Sequence, residues 1–394
     1  MSGSGSSVLR EAVIVEAIRT PIGKRNGSLA EIHPVDLTAI VLRELSSRTG
    51  IDPAEIDDVI WGCVTQLGDQ SSNIGRFGVL AAGWPETVPA VTVNRACGSS
   101  QQAIDQAAHA VMSGAFDLVV AGGVESMSRV PLGAARESGL PYGQTVLDRY
   151  GVTELAQGPS AEMIAREWRL SRVVLDGYAA ESHRRAAEAV DSGAFSRQLV
   201  PVPLEDGSTF SMDEGLRRGT TIETLSALKP TFRADGTIHA GNASQISDGA
   251  AAVVVTTPER AAELGLTPIV RYHAGAVVGD NPVMMLTGPI PATRKVLRRA
   301  GLNIRDIGAF EVNEAFAPVP LAWLAETGAD PRRTNPLGGA IALGHPLGAS
   351  GAILATRLIH HMRSNGIRYG LQTMCEGGGT ANATIFELLD RSAS

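Results

Sequence analysis

The 394-residue chain is short of cysteine, aromatic side chains, basic charge and long apolar runs. Its three cysteines, at 63, 97 and 375, form an odd set without a Cys-x-x-Cys pair, which speaks against a disulfide framework or a zinc site. A reducing, cytoplasmic home is therefore expected, with no metal. A net charge of −7 argues against nucleic acid as a partner, although a few local arginines suffice to hold a small polyanion. No stretch of 18 apolar residues runs uninterrupted, so no membrane span is expected. The opening Met1-Ser-Gly-Ser-Gly-Ser-Ser lacks the basic and apolar regions of a secretory signal and reads as a disordered tail. Aromatics are only 4% of residues, whereas hydrophobic residues reach 44% and glycines number 44. This is the composition of an α/β protein with close backbone contacts, long enough for two or three domains.

The glycines cluster informatively. Five fall within the seventeen residues from Asn335 to Gly351, which surround Gly344-His345-Pro346. Tight turns and close approach of backbone to ligand become possible there, around a side chain that exchanges protons near neutrality. Two cysteines have similar settings, Asn94-Arg-Ala-Cys97-Gly-Ser-Ser and Met374-Cys375-Glu-Gly-Gly-Gly. One histidine and two thiols on flexible corners suggest covalent acyl chemistry.

Apolar runs such as Ala12 to Ala17, Val59 to Val64 and Leu118 to Gly123 predict strands, with helical stretches between them such as Ser99 to Met112. The chain also repeats itself. Gly50-Ile-Asp-Pro-Ala-Glu-Ile matches Gly301-Leu-Asn-Ile-Arg-Asp-Ile, 251 residues later, and Ser99 maps onto Ser350 by the same offset. The strand ending at Gly122 falls near Cys375 with an offset of 253. Two halves of one topology are expected, whose equivalent turns meet and bring Cys97 to the 344–351 loop. Residues 126–242 have no counterpart in the second half. They read as an inserted subdomain or lid with helices near Ala161 to Trp168 and Val174 to Val190. The expected division is 1–125 completed by about 243–270, then the insertion 126–242, then 271–394.

Cys97 follows the strand Ala90 to Asn94 and precedes a helix for which Ser99 or Ser100 is an available cap. At a helix N-terminus its thiolate is favoured, although the residue alone fits a small buried hydrophobe equally well. His345, held extended by Pro346, suits a general base or a structural turn. Cys375 leads into three glycines whose N–H groups can face a cavity. Asn313 and Glu314 stand where the strand Ala309 to Val312 stops, a place that faces a ligand crevice in α/β sheets. Arg217, Arg218 and Lys229 bring positive charge to the insertion, for phosphates or for plain solvation. The small residues from Ala240 to Gly249 admit a narrow ligand or form a loop.

Together these segments resemble the thiolase family from Val13 to Glu387. The resemblance rests on four ordered blocks: Asn94-Arg-Ala-Cys97-Gly-Ser-Ser, Asn313-Glu-Ala-Phe, Gly338 to Gly351 around His345, and Cys375-Glu-Gly-Gly-Gly. It implies two α/β/α halves in five layers with an inserted loop domain. Cys97 would become the acylated nucleophile assisted by His345, and Cys375 the acid/base at the acetyl α-carbon. Asn313 would hold a water that pairs with His345 in one oxyanion hole, and the N–H groups of Cys97 and Gly377 would form another. Coenzyme A is implied as substrate, with no permanently bound cofactor. Its expected contacts are Arg217, Thr224, Phe232, Ala240 and Ser244, with Met285 and Phe316 near the pantetheine or acyl end.

Where many acetoacetyl-CoA-specific relatives carry His-Met, this chain has Ala156-Gln157, which favours a different acyl pocket. The Asn-Arg-x-Cys form resembles degradative 3-ketoacyl-CoA thiolases of fatty-acid β-oxidation. Condensation of two acetyl-CoA is the alternative, and a homodimer or homotetramer is implied. A decarboxylating ketoacyl synthase would need no cysteine at 375. A non-catalytic acyl-CoA-binding relative would lack the nucleophile or the base, and both are present.

Overall fold

The computed structural model describes residues 10–389, so the expected tail at Met1 to Ser7 lies outside the described residues. The strands are β1 (Val13–Arg19), β2 (Gly23–Lys24), β3 (Asp58–Gly62), β4 (Ala90–Val93), β5 (Leu118–Ser126) and β6 (Val202–Pro203). They continue with β7 (Thr209–Phe210), β8 (Ser247–Thr256), β9 (Val270–Gly279), β10 (Ala309–Val312), β11 (Tyr369–Glu376) and β12 (Thr380–Leu388). The helices are α1 (Pro34–Thr49), α2 (Ile74–Ala81), α3 (Ser99–Ser113), α4 (Gly143–Tyr150), α5 (Gln157–Glu167) and α6 (Arg172–Asp191). After them come α7 (Ile222–Ser226), α8 (Pro258–Glu263), α9 (Pro289–Ala300), α10 (Pro318–Thr327), α11 (Ala340–Leu343) and α12 (Ser350–Asn365).

The main sheet runs β10-β11-β12-β9-β1-β8-β5-β3-β4. From the centre outward each side repeats one pattern. β1 pairs antiparallel with β8, β8 with β5, and β5 runs parallel to β3. β9 pairs antiparallel with β12, β12 with β11, and β11 runs parallel to β10. Within the sheet the two sides meet where Val13 faces Arg271 and Ile14 faces Val270.

Local sequence explains the matching pieces. Gly50 and Gly301 end α1 and α9 in the left-handed region, at φ 69° and 66°, a conformation that costs glycine little. The ladder register also corrects one expectation. Asp58 faces Val119 in the first half and Ala309 faces Gly370 in the second, so both strands of the pair shift by 251 residues, as the loops do. The counterpart of Cys375 is therefore Val124 rather than Gly122, and that of Glu376 is Glu125. A slip of two residues keeps every side chain on its own face, so the apolar pattern was blind to it.

Helices α3 and α12 pack on one another between the halves; α12 touches β1, β8, β10 and β11, and α3 touches β3, β5 and β12. Helices α1 and α2 cover the far face of the first half, and α9 covers β9 and β12 with α10 against it. With helices on both faces, every residue of β5 and β8 is buried, which is why these strands read as unbroken apolar runs. The central helices approach closely near their N-termini. Ser100 Oγ accepts from Ala352 N at 2.9 Å, and a Cβ on Gly351 would lie 2.1 Å from Gln101 N, so only glycine fits there.

Residues 126–242 contribute α4 to α7 and the small β6–β7 pair. Their apolar faces (Leu155, Ile164, Leu175, Leu225) share one cluster with Phe316, Ile341 and Cys375 of the second half. Buried Arg19 anchors them to β1 through paired bonds to Asp213 at 2.7 and 2.9 Å. Among the described residues no helix is long and apolar enough to cross a membrane.

Candidate active site

Cys97 sits in the turn from β4 to α3, buried at 3% exposure. The turn forces Ala96 to φ 45°, a strained value for a residue with a Cβ. Asn94 Oδ1 braces it by accepting from Ala96 N at 2.8 Å. The expected serine cap is not made: Gly98 is the N-cap and no side chain caps the helix. Ser99 Oγ instead accepts from Arg95 N at 2.9 Å and donates to Ala96 O at 2.6 Å, which locks the turn that presents the thiol.

The thiolate expected from the helix end is not the resting form. Burial pushes the Cys97 thiol up to about 12, the nearby Glu376 adds to this, and a hydrogen bond from Gln157 opposes it. A helix terminus supplies about 0.3–1 kcal/mol, too little to offset burial of a charge. Cys97 therefore rests as a thiol and needs a base.

His345 has the geometry of a neutral proton acceptor. Its Nδ1 lies 2.6 Å from Ser350 Oγ, and Ser350 donates its own proton to Pro346 O at 2.8 Å. The hydroxyl can then only accept from His345, so the ring proton is on Nδ1 and the lone pair is on Nε2. Burial lowers the imidazole to about 4, which keeps it neutral and able to take a proton. Asn313 Nδ2 lies 3.3 Å from Nε2. Asn313 Oδ1 is buried without a hydrogen-bond partner among the described residues. Leu347, two residues beyond His345, packs in the same small cluster as Cys97 and Met374.

Cys375 is at the end of β11, buried at 1%, and its thiol is pushed up first by burial and next by charge on Cys97. The two sulfurs are therefore within electrostatic reach. A Cβ on Gly377 would lie 3.7 Å from Ala96 Cβ and 3.8 Å from Gln157 Nε2, so the glycine run comes alongside the Cys97 turn. Met285 and Phe316 pack with Cys375, and Phe232 meets Phe316 edge-on at 6.1 Å between centroids. Glu314 departs from the expected crevice. It turns away and accepts from Ser182 Oγ at 2.7 Å, Tyr178 OH at 3.0 Å and Ile341 N at 3.1 Å, acting as a bolt between the insertion and α11.

Arg217, Thr224 and Ala240 line one cleft with His183, Leu228 and Ile341. Ile341 also packs in the cluster that holds Cys375. Arg218 is drawn off by Asp191, whereas burial lowers the imidazole of His183 in the cleft wall to about 4, with Arg217 adding to this. Ser244 sits nearby, its N–H bonded to Ala315 O at 2.9 Å. Exposed Lys229 does not line this cleft. Sequence reasoning missed Ser350 as the group that fixes His345 and Gln157 as a neighbour of Cys97. Both stood in quoted segments, but their partners depend on the turn geometry.

Family models match most of the chain: "Thiolase, N-terminal domain" over residues 12–259 and "Thiolase, C-terminal domain" over 266–388. A steroid 3-ketoacyl-CoA thiolase of Mycobacterium tuberculosis is 50% identical, over 99% of this chain and 97% of that protein. A 3-ketoacyl-CoA thiolase of Bacillus subtilis is 44% identical, over 96% and 100%. The crystal structure of an acetyl-CoA acetyltransferase from Bacillus anthracis superposes with a TM-score of 0.90 at 38% identity, over 98% and 100% of the two chains.

Proposed function

The chain belongs to the thiolase family of acyltransferases, and from that membership we propose that it cleaves 3-ketoacyl-CoA with coenzyme A to acyl-CoA and acetyl-CoA. His345 Nε2 takes the Cys97 proton, and the sulfur adds to the keto carbon. The N–H groups of Cys97 and Gly377 hold the resulting oxyanion. The bond between C2 and C3 breaks, its electrons pass to the departing acetyl-CoA enolate, and Cys375 protonates the new carbanion. Asn313 and His345 hold the enolate oxygen, which suits the unpartnered Asn313 Oδ1 as anchor for a water. In the second half-reaction the Cys375 thiolate takes the proton of coenzyme A. The coenzyme sulfur displaces Cys97, which recovers its proton from His345.

The observation that carries this reading is the neutral, tautomer-fixed His345, two residues from the Leu347 that packs with Cys97, together with a second buried thiol, Cys375, that feels the charge of Cys97. Coenzyme A lies along the cleft of Arg217, Thr224 and Ala240, past Ser244 and Phe232, with Met285 and Phe316 toward the acyl end. The insertion 126–242 is the coenzyme-binding domain, set between a first half of 1–125 with 243–270 and a second half of 271–394. Gln157 beside Cys97 gives a pocket not restricted to acetoacetyl groups. The enzyme works in the cytoplasm as a homo-oligomer. Among the described residues the outer edge of β4 is unpaired, and Val91 on it and Phe77 and Leu80 on the adjoining α2 are exposed at 42%, 46% and 39%, as an edge destined for a second copy would be.

Mass spectrometry after mixing with acetoacetyl-CoA tests the assignment: an acyl adduct is expected on the Cys97 peptide, and its absence sinks the mechanism. Cys375→Ala should still accept an acetyl group from acetyl-CoA, where no carbanion needs a proton, but form no carbon–carbon bond. Wild-type condensation rates in that variant would remove Cys375 from its role.

A further inference from the structure

Glu376 follows Cys375, and the reaction above leaves it unused. Its side chain is fully buried. Oε2 accepts from Thr380 Oγ1, while Oε1 has no hydrogen-bond partner among the described residues. The carboxyl is walled in directly behind the nucleophile. A Cβ on Gly98 would fall 2.1 Å from Oε1 and 3.0 Å from Asn382 Nδ2, and that amide donates to Gly98 O at 3.2 Å.

The duplication supplies an internal control. Glu125, the counterpart 251 residues earlier, accepts from Val64 N at 2.9 Å, Thr65 N at 3.0 Å, Gln70 Nε2 at 2.9 Å and Gly348 N at 2.8 Å. Gly348 is in turn the counterpart of Cys97. Burial raises the Glu125 carboxyl as well, but these four donors oppose it, and among the described residues they leave a carboxyl proton no acceptor. Glu376, in the equivalent place, has one hydroxyl donor and an open oxygen on which a proton can sit.

We propose that Glu376 is a positioning residue that gates the nucleophile by its own protonation: as a neutral acid behind Gly98 it lets Cys97 ionise, and as a carboxylate it opposes the thiolate. The inference rests on Cys97 being the acylated residue. The groups facing Glu376 are Arg95 from the β4–α3 turn, Asp105 from α3, Cys375 on its own strand, and Thr380 and Asn382 from β12. Burial raises its pKa to about 8, Thr380 and Arg95 oppose this, and Asp105 reinforces it. Cys97 itself also feels Glu125 and the Gln157 hydrogen bond. The gate therefore operates just above neutrality.

The test follows iodoacetamide alkylation of the full-length protein, resolved by peptide mass, from pH 6.5 to 9.5. In wild type the Cys97 rate should flatten as Glu376 ionises. In Glu376→Gln, which stays neutral, the rate should keep climbing, so the ratio of variant to wild type grows about fivefold across the range. Thr380→Val removes a donor that favours the carboxylate, and it should move the flattening to higher pH. A ratio that stays constant with pH in folded Glu376→Gln, or a Thr380→Val profile identical to wild type, overturns the gate alone. A Cys97 that is never alkylated in wild type overturns the nucleophile assignment beneath it.

Discussion

At the N-termini of α3 and α12 the two halves put different side chains at equivalent positions. Asn94 stands where the second half has His345, and Gly348 stands where the first half has Cys97. Gly62 corresponds to Asn313, and Val124 to Cys375. The first-half crevice is filled with backbone: a Cβ on Gly348 would lie 2.6 Å from Val124 O and 2.7 Å from the Cys63 Cα, and one on Gly62 would lie 2.8 Å from Gly348 O. The second half instead places the side chains of Asn313, His345 and Cys375 at the equivalent positions, and the Cys97 thiol comes from the first half. A symmetric fold thus builds two equivalent corners, one closed as a bolt by backbone and one furnished with polar and thiol side chains. The bolt places His345, because Glu125 grips the 345–350 turn through Gly348 N.

Adding bulk to the closed crevice should have the largest effect. Gly348→Val has no room and should cost about 3 kcal/mol or more of stability, read as a fall in the urea midpoint. A variant as stable as wild type would mean that the first crevice is not sealed. Ser350→Ala leaves the packing but frees the His345 tautomer. A drop of roughly 30-fold in kcat with KM little changed is expected, and an unchanged kcat would detach the base from its serine.

The smallest effect is on acid stability. Folded His345 titrates below its unfolded value, so the stability it contributes is complete above about pH 6.5 and drains away as pH falls toward 4. His345→Asn makes the two turns alike and should spare about 1 kcal/mol of the loss between pH 7.5 and 5.5. Parallel urea curves for both proteins across that range would remove His345 from the account.

Much of this was legible in the sequence because glycine spacing and strand ends are local signals. The strand Ala309–Val312 places Asn313 at its tip, and the matching loops at Gly50 and Gly301 announced the repeat. What escaped depends on distant contacts. The pairing of Glu125 with Glu376 was hidden by a two-residue slip that leaves the apolar pattern intact. The state of Cys97 was misjudged because the burial that raises its thiol is assembled from segments hundreds of residues away, which outweighs the helix end beside it. Ser350 was quoted only as a repeat marker, since the partner of a hydroxyl is settled by the turn around it.

The central position of β1 has a consequence for synthesis on the ribosome. Its two sheet neighbours, β8 and β9, lie more than 200 residues downstream. At translation speeds of about 5–20 residues per second, that strand waits roughly ten to fifty seconds for its flanks. This apolar segment is thus among the last to be completed, and for that interval the nascent chain depends on whatever in the cell shields it.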